Sequence, residues 1–339
     1  VSSLWPVSGD AEGIRALLRE WDAADDPKPL VIQTSGSTGR PKRVMLSRAA
    51  MRASALATQE RLGGPGRWLL NLPPTYVAGV QVLYRSVVAC TEPIPFQGSF
   101  SATRHLVHGR AFVSLVPTQL VRLLEDPDET AALEDFEAVL VGGGPLRLEV
   151  RERAEAAGVH VVQTYGMSET CGGCVYDGVP LPGVEVRIDD DEQVLVRGPM
   201  LFDGYEGEPE RTVAAFRDGW FVTDDLGHWT PDGRLAIDSR VDDVVISGGV
   251  KVPGPAVAAA LLGHPWVNEA EVVGVPDDEW GQRVVAVLTV SGPVALDELR
   301  DLVEPRSWAP RALVVVDELP LLPNGKVDRV TLEELAADA

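Results

Sequence analysis

Nine consecutive residues, Thr34-Ser35-Gly36-Ser37-Thr38-Gly39-Arg40-Pro41-Lys42, combine four hydroxyls, two glycines and a terminal lysine. Glycine admits positive φ and lets backbone N–H groups approach a ligand closely. Those amides and the hydroxyls can donate to oxyanions, and Lys42 adds a positive charge. This is the chemistry of polyphosphate binding. It is not the common nucleotide loop GxxxxGK[ST], because Pro41 stands where that pattern has glycine. Runs rich in Gly, Ser and Thr also serve as plain linkers, so other residues must decide.

Other chemistry-bearing runs follow along the chain. They are Gly142-Gly143-Gly144-Pro145-Leu146, Tyr165-Gly166-Met167-Ser168-Glu169-Thr170, Thr223-Asp224-Asp225-Leu226-Gly227 and Leu322-Pro323-Asn324-Gly325-Lys326-Val327-Asp328. Between the last two lie Ser239-Arg240-Val241-Asp242-Asp243, Ser247-Gly248-Gly249-Val250-Lys251-Val252 and Pro276-Asp277-Asp278-Glu279-Trp280-Gly281-Gln282. In this order they resemble the signatures of the adenylate-forming superfamily, the acyl-CoA synthetases and their relatives. The resemblance spans residues 31–329. Leu72 to Gly79 and Cys171 to Gly178 carry a narrower likeness, to the o-succinylbenzoate–CoA ligases of menaquinone biosynthesis in their short actinobacterial form.

The resemblance implies an ATP- and Mg²⁺-dependent ligase that joins an acid to coenzyme A through an acyl-adenylate. The implied acid is o-succinylbenzoate. Two alternatives stay open: a ligase for another aryl or acyl acid or a carrier-protein thiol, and a catalytically silent nucleotide-binding protein. By the same resemblance Thr34, Ser35, Gly36, Ser37, Thr38, Gly39 and Lys42 would hold ATP phosphates. Gly142, Gly143, Gly144, Thr164, Tyr165, Gly166 and Met167 would surround adenine, with Asp225 and Arg240 toward the ribose and phosphates. Glu169 matches the metal-associated glutamate, and Ser168 stands where relatives often carry threonine. Lys326 matches the adenylation lysine, Asp242 the hinge, and Gly248, Gly249 and Lys251 the surface that faces coenzyme A.

The residue types suit these tasks. A carboxylate approaching a polyanion needs charge neutralisation, which Mg²⁺ and a lysine supply. An ionised Asp225 can only accept, as a partner of two ribose hydroxyls must. For the acid the candidates are Tyr76, Gly79 and Arg85; Tyr76 departs from the histidine that many relatives carry there. Arg85 interrupts an apolar helical run, and if it faces inward, desolvation demands an anionic partner. The spare carboxylate of a dicarboxylic acid would serve.

Composition bounds the rest. With 30 Lys+Arg against 51 Asp+Glu the net charge is −21, which argues against general nucleic-acid binding. The cations that meet ATP and coenzyme A must therefore be concentrated locally. No apolar stretch is long enough to span a membrane, and Val1–Asp10 lacks the basic-then-apolar pattern of a secretory signal. Three cysteines, Cys90, Cys171 and Cys174, fit a reduced, cytoplasmic protein. A zinc site built on Cys171-x-x-Cys174 would need a second ligand pair, and none is visible. The expected partners are a small-molecule acid, ATP and coenzyme A; a homo-oligomer is left open.

These residues need particular elements to bring them together. Residues 10–24 read as an amphipathic helix, and Leu30-Val31-Ile32 and Val44-Met45-Leu46 as strands either side of the phosphate run. Ser47 is placed to cap a helix reaching about Leu62. Ala138 to Val141, a helix from Leu146 to Ala157, and Val159 to Val162 predict a right-handed crossover with parallel strands. Gly142-Gly143-Gly144 and Tyr165-Gly166 would then emerge side by side at strand carboxyl ends. Short strands punctuated by turns follow from Gly183. The expected fold is α/β: a large N-terminal domain, 1–239, of parallel sheets flanked by helices with a β-rich subdomain. A hinge at 240–243 and a small mobile α+β domain, 244–339, complete it. The phosphate run begins at residue 34, earlier than in most of the superfamily, so the resemblance implies a large domain shortened at its N-terminus.

Overall fold

Short apolar runs free of charge, such as Ala111–Leu115 and Ala138–Gly142, suit strands buried on both faces. A computed structural model of the chain describes residues 7–34, 42–321 and 327–337. In it these runs lie at the centre of a seven-stranded sheet. Its strands are β3 (Arg67–Leu70), β4 (Ile94–Pro95), β5 (Ala111–Leu115), β6 (Ala138–Gly142), β7 (Val161–Met167), β8 (Gly172–Tyr176) and β9 (Val179–Pro180), in the order β4-β3-β5-β6-β7-β8-β9. Pairing is parallel from β4 to β7 and antiparallel beyond. Alternate side chains of β6 divide between two cores. Val139 and Val141 pack with the helix Leu148–Ala156, and Ala138 and Leu140 with Trp68, Phe112 and Val82.

Three helices precede or cover this sheet. α1 (Ala11–Ala23) is capped by Asp10, whose carboxylate accepts from Gly13 N–H at 2.8 Å. α2 (Arg48–Arg61) is capped by Ser47, and α3 (Val77–Val88) packs between α1, α2 and β3. Strands β1 (Leu30–Gln33) and β2 (Arg43–Leu46) pair antiparallel, and β12 (Gly204–Tyr205) adds to β2. The β-rich sheet holds β10 (Glu185–Ile188), β11 (Gln193–Arg197), β13 (Phe216–Arg217), β14 (Trp220–Trp229) and β15 (Leu235–Arg240).

Strands β6 and β7 on either side of the helix pair in parallel, as the sequence predicts. Two expectations change. The intervening helix starts at Leu148 rather than Leu146, after the bend at Gly143-Gly144 and Pro145. Strand β7 does not stop at Val162 but runs on to Met167, because β8 folds back and pairs with it. The motif at Tyr165-Gly166 thus lies on a strand. Thr223 to Gly227 likewise lies inside the ten-residue β14, not in a turn.

After the 3-10 turn Val241–Asp243 comes a sheet of β16 (Val244–Ser247), β17 (Val250–Pro253), β18 (Val267–Asp277), β19 (Gly281–Val290) and β20 (Ala312–Val315). The long β18–β19 hairpin is covered on one side by the helix Gly254–Leu261 and on the other by the helix Arg329–Ala337. Among the described residues, no buried apolar cluster mixes side chains from before and after Arg240. No described helix is long and apolar enough to cross a membrane.

Beside the 3-10 turn, Arg329 Nη1 lies 2.7 Å from Asp243 Oδ1. Burial pushes the neighbouring Glu271 carboxyl up from its ordinary 4.5 to about 7; Arg329 opposes the shift, and Asp243 and Glu269 add to it. Between those two values the folded chain keeps a proton that the unfolded chain has lost. Stability should therefore fall as pH rises through this window, by on the order of 3 kcal/mol, and then level off. Glu271→Gln should remove that slope, read by chemical denaturation from about pH 4.5 to about pH 8. Parallel stability curves for the two proteins would contradict it.

Candidate active site

The ends of β1 and β2 are tied where Thr34 N–H donates to the Lys42 carbonyl at 2.8 Å. Ser35, Gly36, Ser37, Thr38 and Gly39, expected to hold phosphate, lie outside the described residues, as does Lys326. At the base of the run, Lys42 Nζ stands 3.6 Å from Asp224 Oδ2 and 5.8 Å from the Tyr205 ring centroid. The Thr34 hydroxyl is buried without a partner among the described residues.

Gly142 to Gly144 and Thr164 to Met167 meet at adjacent strand ends. A Cβ on Gly142 would collide with the Thr164 side chain, so the first glycine is set by that approach. Gly143 has φ +80, which glycine takes without strain. Gly166 faces the Gly172 carbonyl, where any side chain would clash, and a bulge falls between Tyr165 and Gly166. Thr170 Oγ1 then accepts from Met167 N–H at 2.9 Å and donates to the Gly172 carbonyl at 2.7 Å. These bonds fix the 3-10 turn Ser168–Thr170.

Asp225 joins this sheet to the β-rich one. The Tyr165 hydroxyl donates to Asp225 Oδ2 at 2.7 Å, and Asp225 N–H donates to Thr223 Oγ1 at 3.1 Å. Arg240, opposite Asp225 in the register, lies 3.6 Å from Asp225 Oδ1 and 3.4 Å from Asp224 Oδ2. Burial pushes the Asp225 carboxyl up, against the Tyr165 hydrogen bond and the Arg240 charge. Burial and the Asp225 charge push the Tyr165 phenol well above its ordinary range, so it stays a donor. Asp224, beside it in the motif, bridges Lys42 and Arg240.

Glu169 is 7% exposed, and the Tyr205 hydroxyl donates to its Oε1 at 2.9 Å. No Lys or Arg among the described residues lies within ion-pair distance of it. One carboxylate free of a cation, bonded to a tyrosine whose ring lies 5.8 Å from Lys42 Nζ, is a donor set that suits Mg²⁺, which takes few protein ligands and completes its shell with phosphate oxygens and water. Among the described residues no group of three or more His, Cys, Asp or Glu could hold a metal by itself. Tyr205 carries no sequence signal beyond a Gly-Tyr pair, and its role was not foreseen.

The acid-side candidates lie along α3. Tyr76 is its N-cap, without a side-chain capping bond. Gly79 packs so closely on the Pro73 carbonyl that a Cβ would collide with it. Arg85 comes nine residues after Tyr76, about 13 Å along the axis. It faces inward, with 7% exposure. No Asp or Glu among the described residues pairs with Arg85, so the charge has no anionic partner from the protein there. Its guanidinium instead stacks 4.6 Å from the Trp68 ring, and Nη2 donates to Thr58 Oγ1 at 3.2 Å and to the Tyr176 hydroxyl at 3.4 Å. The ring face and two hydroxyl dipoles stabilise the charge, and Nε stays buried without a partner. Gln81, one turn earlier, is a second polar residue in this apolar helix; its Nε2 donates to the Cys171 carbonyl at 2.7 Å.

Cys171 and Cys174 are buried free thiols in different apolar clusters. Burial pushes Cys174 to about 12 and Cys171 well above its ordinary range. Cys171 itself adopts a left-handed conformation, φ 52, that turns the chain into β8. Beyond Arg240, Asp242 is exposed in its 3-10 turn. Gly248 and Gly249, φ +59 and +78, make the tight β16–β17 turn, and Lys251 is exposed on β17. Leu321 and Val327 form an antiparallel bridge.

Comparison with known proteins agrees with this geometry. Residues 9–206 match the AMP-binding enzyme family, and residues 256–326 match the AMP-binding enzyme C-terminal domain. The chain is 44% identical over 346 residues to a probable 2-succinylbenzoate–CoA ligase of Mycobacterium tuberculosis H37Rv, covering 97% of this chain and 90% of that protein. It is similar to the solved o-succinylbenzoate CoA synthetase (MenE) of Bacillus subtilis in complex with the acyl-adenylate intermediate OSB-AMP. That match has a TM-score of 0.81 and 31% identity, over 90% of this chain and 68% of that one. The same enzyme with ATP and magnesium ion matches with a TM-score of 0.80 and 31% identity, over 89% and 69%. Sequence, fold and the grouping of the motif residues agree: the chain belongs to the AMP-binding enzyme family, with that family's C-terminal domain in the same polypeptide.

Proposed function

We propose that the chain is an AMP-forming acid–CoA ligase acting on 2-succinylbenzoate (o-succinylbenzoate), the step that menaquinone biosynthesis requires. The observation that carries the reading is the gathering of Lys42, Tyr165, Asp224, Asp225 and Arg240 by direct contacts, with Glu169 bonded to Tyr205, whose ring lies beside Lys42. It occurs in a chain that shares its fold with an enzyme solved with OSB-AMP.

In the first half-reaction a carboxylate oxygen of the acid bonds to the α-phosphorus of ATP, and the bond to pyrophosphate breaks. In the second the thiol sulfur of coenzyme A attacks the acyl carbon, and AMP leaves. Asp225, with its acceptor oxygens, is assigned to the ribose hydroxyls, and the Gly142–Gly144 and Thr164–Met167 strand ends to adenine. Lys42, Arg240 and the 34–39 run are assigned to phosphate, with Ser168 beside Glu169. Glu169 would hold Mg²⁺ together with phosphate oxygens; bound there, the ion neutralises charge on the nucleotide.

Lys326 is assigned to charge stabilisation during adenylation. Asp242 is assigned to the pivot, and Gly248, Gly249 and Lys251 to the coenzyme A face. The separation of apolar clusters at Arg240 supports a hinge there. Arg85 is assigned to the spare carboxylate of the acid, with Tyr76 and Gly79 toward the same substrate. A guanidinium with 7% exposure and no carboxylate partner among the described residues supports this. We place the reaction in the cytoplasm, in keeping with three free cysteines.

Pyrophosphate release and CoA thioester formation, measured with a panel of aryl and acyl acids, should both be highest with 2-succinylbenzoate. Preference for another acid would overturn the substrate. Release of phosphate without any acid would overturn the ligase reading. Lys326→Ala should abolish adenylation and spare transfer from preformed acyl-adenylate to coenzyme A; equal loss of both steps would remove its assignment. Arg85→Ala should raise KM for the dicarboxylate by about 10- to 100-fold with little change in KM for ATP, as loss of a charged hydrogen bond predicts. An unchanged KM for the acid would sink that role.

A further inference from the structure

Glu169 sits on a 3-10 turn only three residues long, with its side chain almost wholly out of solvent. A carboxylate so placed has two oxygens, and some outside group must fix which of them faces the nucleotide. The Tyr205 hydroxyl, 2.9 Å from Oε1, is the described group that does so.

Tyr205 is in turn held from several directions. Its strand β12 pairs with β2, with Tyr205 opposite Val44, two residues after Lys42. Its backbone N–H donates to Thr212 Oγ1 at 2.9 Å. Gly204 before it, φ +139, allows the close approach to Thr212 that any side chain there would block. The Tyr205 ring lies 5.0 Å from Phe202, 4.9 Å from the Arg211 guanidinium and 5.8 Å from Lys42 Nζ. Phe202 N–H also donates to the Glu169 carbonyl at 2.9 Å, so backbone and side chain of Glu169 both lean on the 202–205 segment.

We infer that Tyr205 is a positioning residue for the nucleotide-bound divalent cation: it holds Glu169 Oε1 so that the other carboxylate oxygen is presented to the metal, and it links that carboxylate to the strand leaving the phosphate run. The inference rests on the reading of the chain as an ATP-dependent ligase. Its ring makes apolar contacts that a purely structural tyrosine would also make, so the test isolates the hydroxyl.

Tyr205→Phe keeps the ring and its stacking and removes one oxygen. Mn²⁺ titrated into the full chain with α,β-methylene-ATP, followed by electron paramagnetic resonance, should bind about 10-fold or more weakly in this variant, as loss of a group that orients a metal ligand predicts. Affinity for the analogue without metal should change less than about 2-fold, and the ligand-free chain should stay folded at the assay temperature, its melting temperature lowered only by the one lost hydrogen bond. In a Glu169→Gln background the same substitution should have no further effect on Mn²⁺ affinity. Unchanged Mn²⁺ affinity, equal weakening with and without metal, or an undiminished effect in the Glu169→Gln background would each overturn the inference. Failure of the unaltered chain to bind the Mn²⁺–nucleotide at all would overturn the ligase reading itself, and the inference with it.

Discussion

Two carboxylates, each held by a tyrosine hydroxyl from another sheet, tie the site together. Asp225 on β14 takes its bond from Tyr165 on β7, and Glu169, just beyond β7, takes its bond from Tyr205 on β12. The seven-stranded, five-stranded and three-stranded sheets therefore meet through two phenol–carboxylate contacts. Either carboxylate left without its donor would cost about 1–3 kcal/mol in unmet hydrogen bonding. The geometry of the site and the packing of the sheets are thus one constraint, satisfied together.

A second consequence concerns charge. The chain carries far more acid than base, yet Lys42 and Arg240 both turn toward the exposed Asp224. Such solvent-exposed pairs are worth about 0–1 kcal/mol. A polyphosphate bound there, as the proposed function requires, would displace only a weak partner.

Much of this arrangement is legible in the residues alone, for identifiable reasons. The β6–helix–β7 crossover follows from Val139 and Val141 alternating with Ala138 and Leu140, and from glycines at the strand end. The caps Asp10 and Ser47 follow from side-chain chemistry. By contrast, Tyr165-Gly166 and Thr223-Asp224-Asp225 look like turns because Gly, Thr and Asp favour them, and long-range pairing with β8, β11 and β15 overrides that local preference. Tyr205 was illegible because its partner lies 36 residues away and no spacing encodes that distance. Arg85 was half legible: it interrupts an apolar helical run, but nothing in one sequence says that it turns inward or that Trp68, Thr58 and Tyr176 will be there to receive it.

The division of apolar clusters at Arg240 has a thermodynamic meaning of its own. Each side of that boundary keeps its oily interior to itself, with both faces of the β18–β19 hairpin roofed by helices of its own segment. Turning about Val241–Asp243 would rearrange polar contacts and leave every methyl-lined interior closed. The six buried clusters would expose no new hydrocarbon, so they neither drive nor resist such a swing.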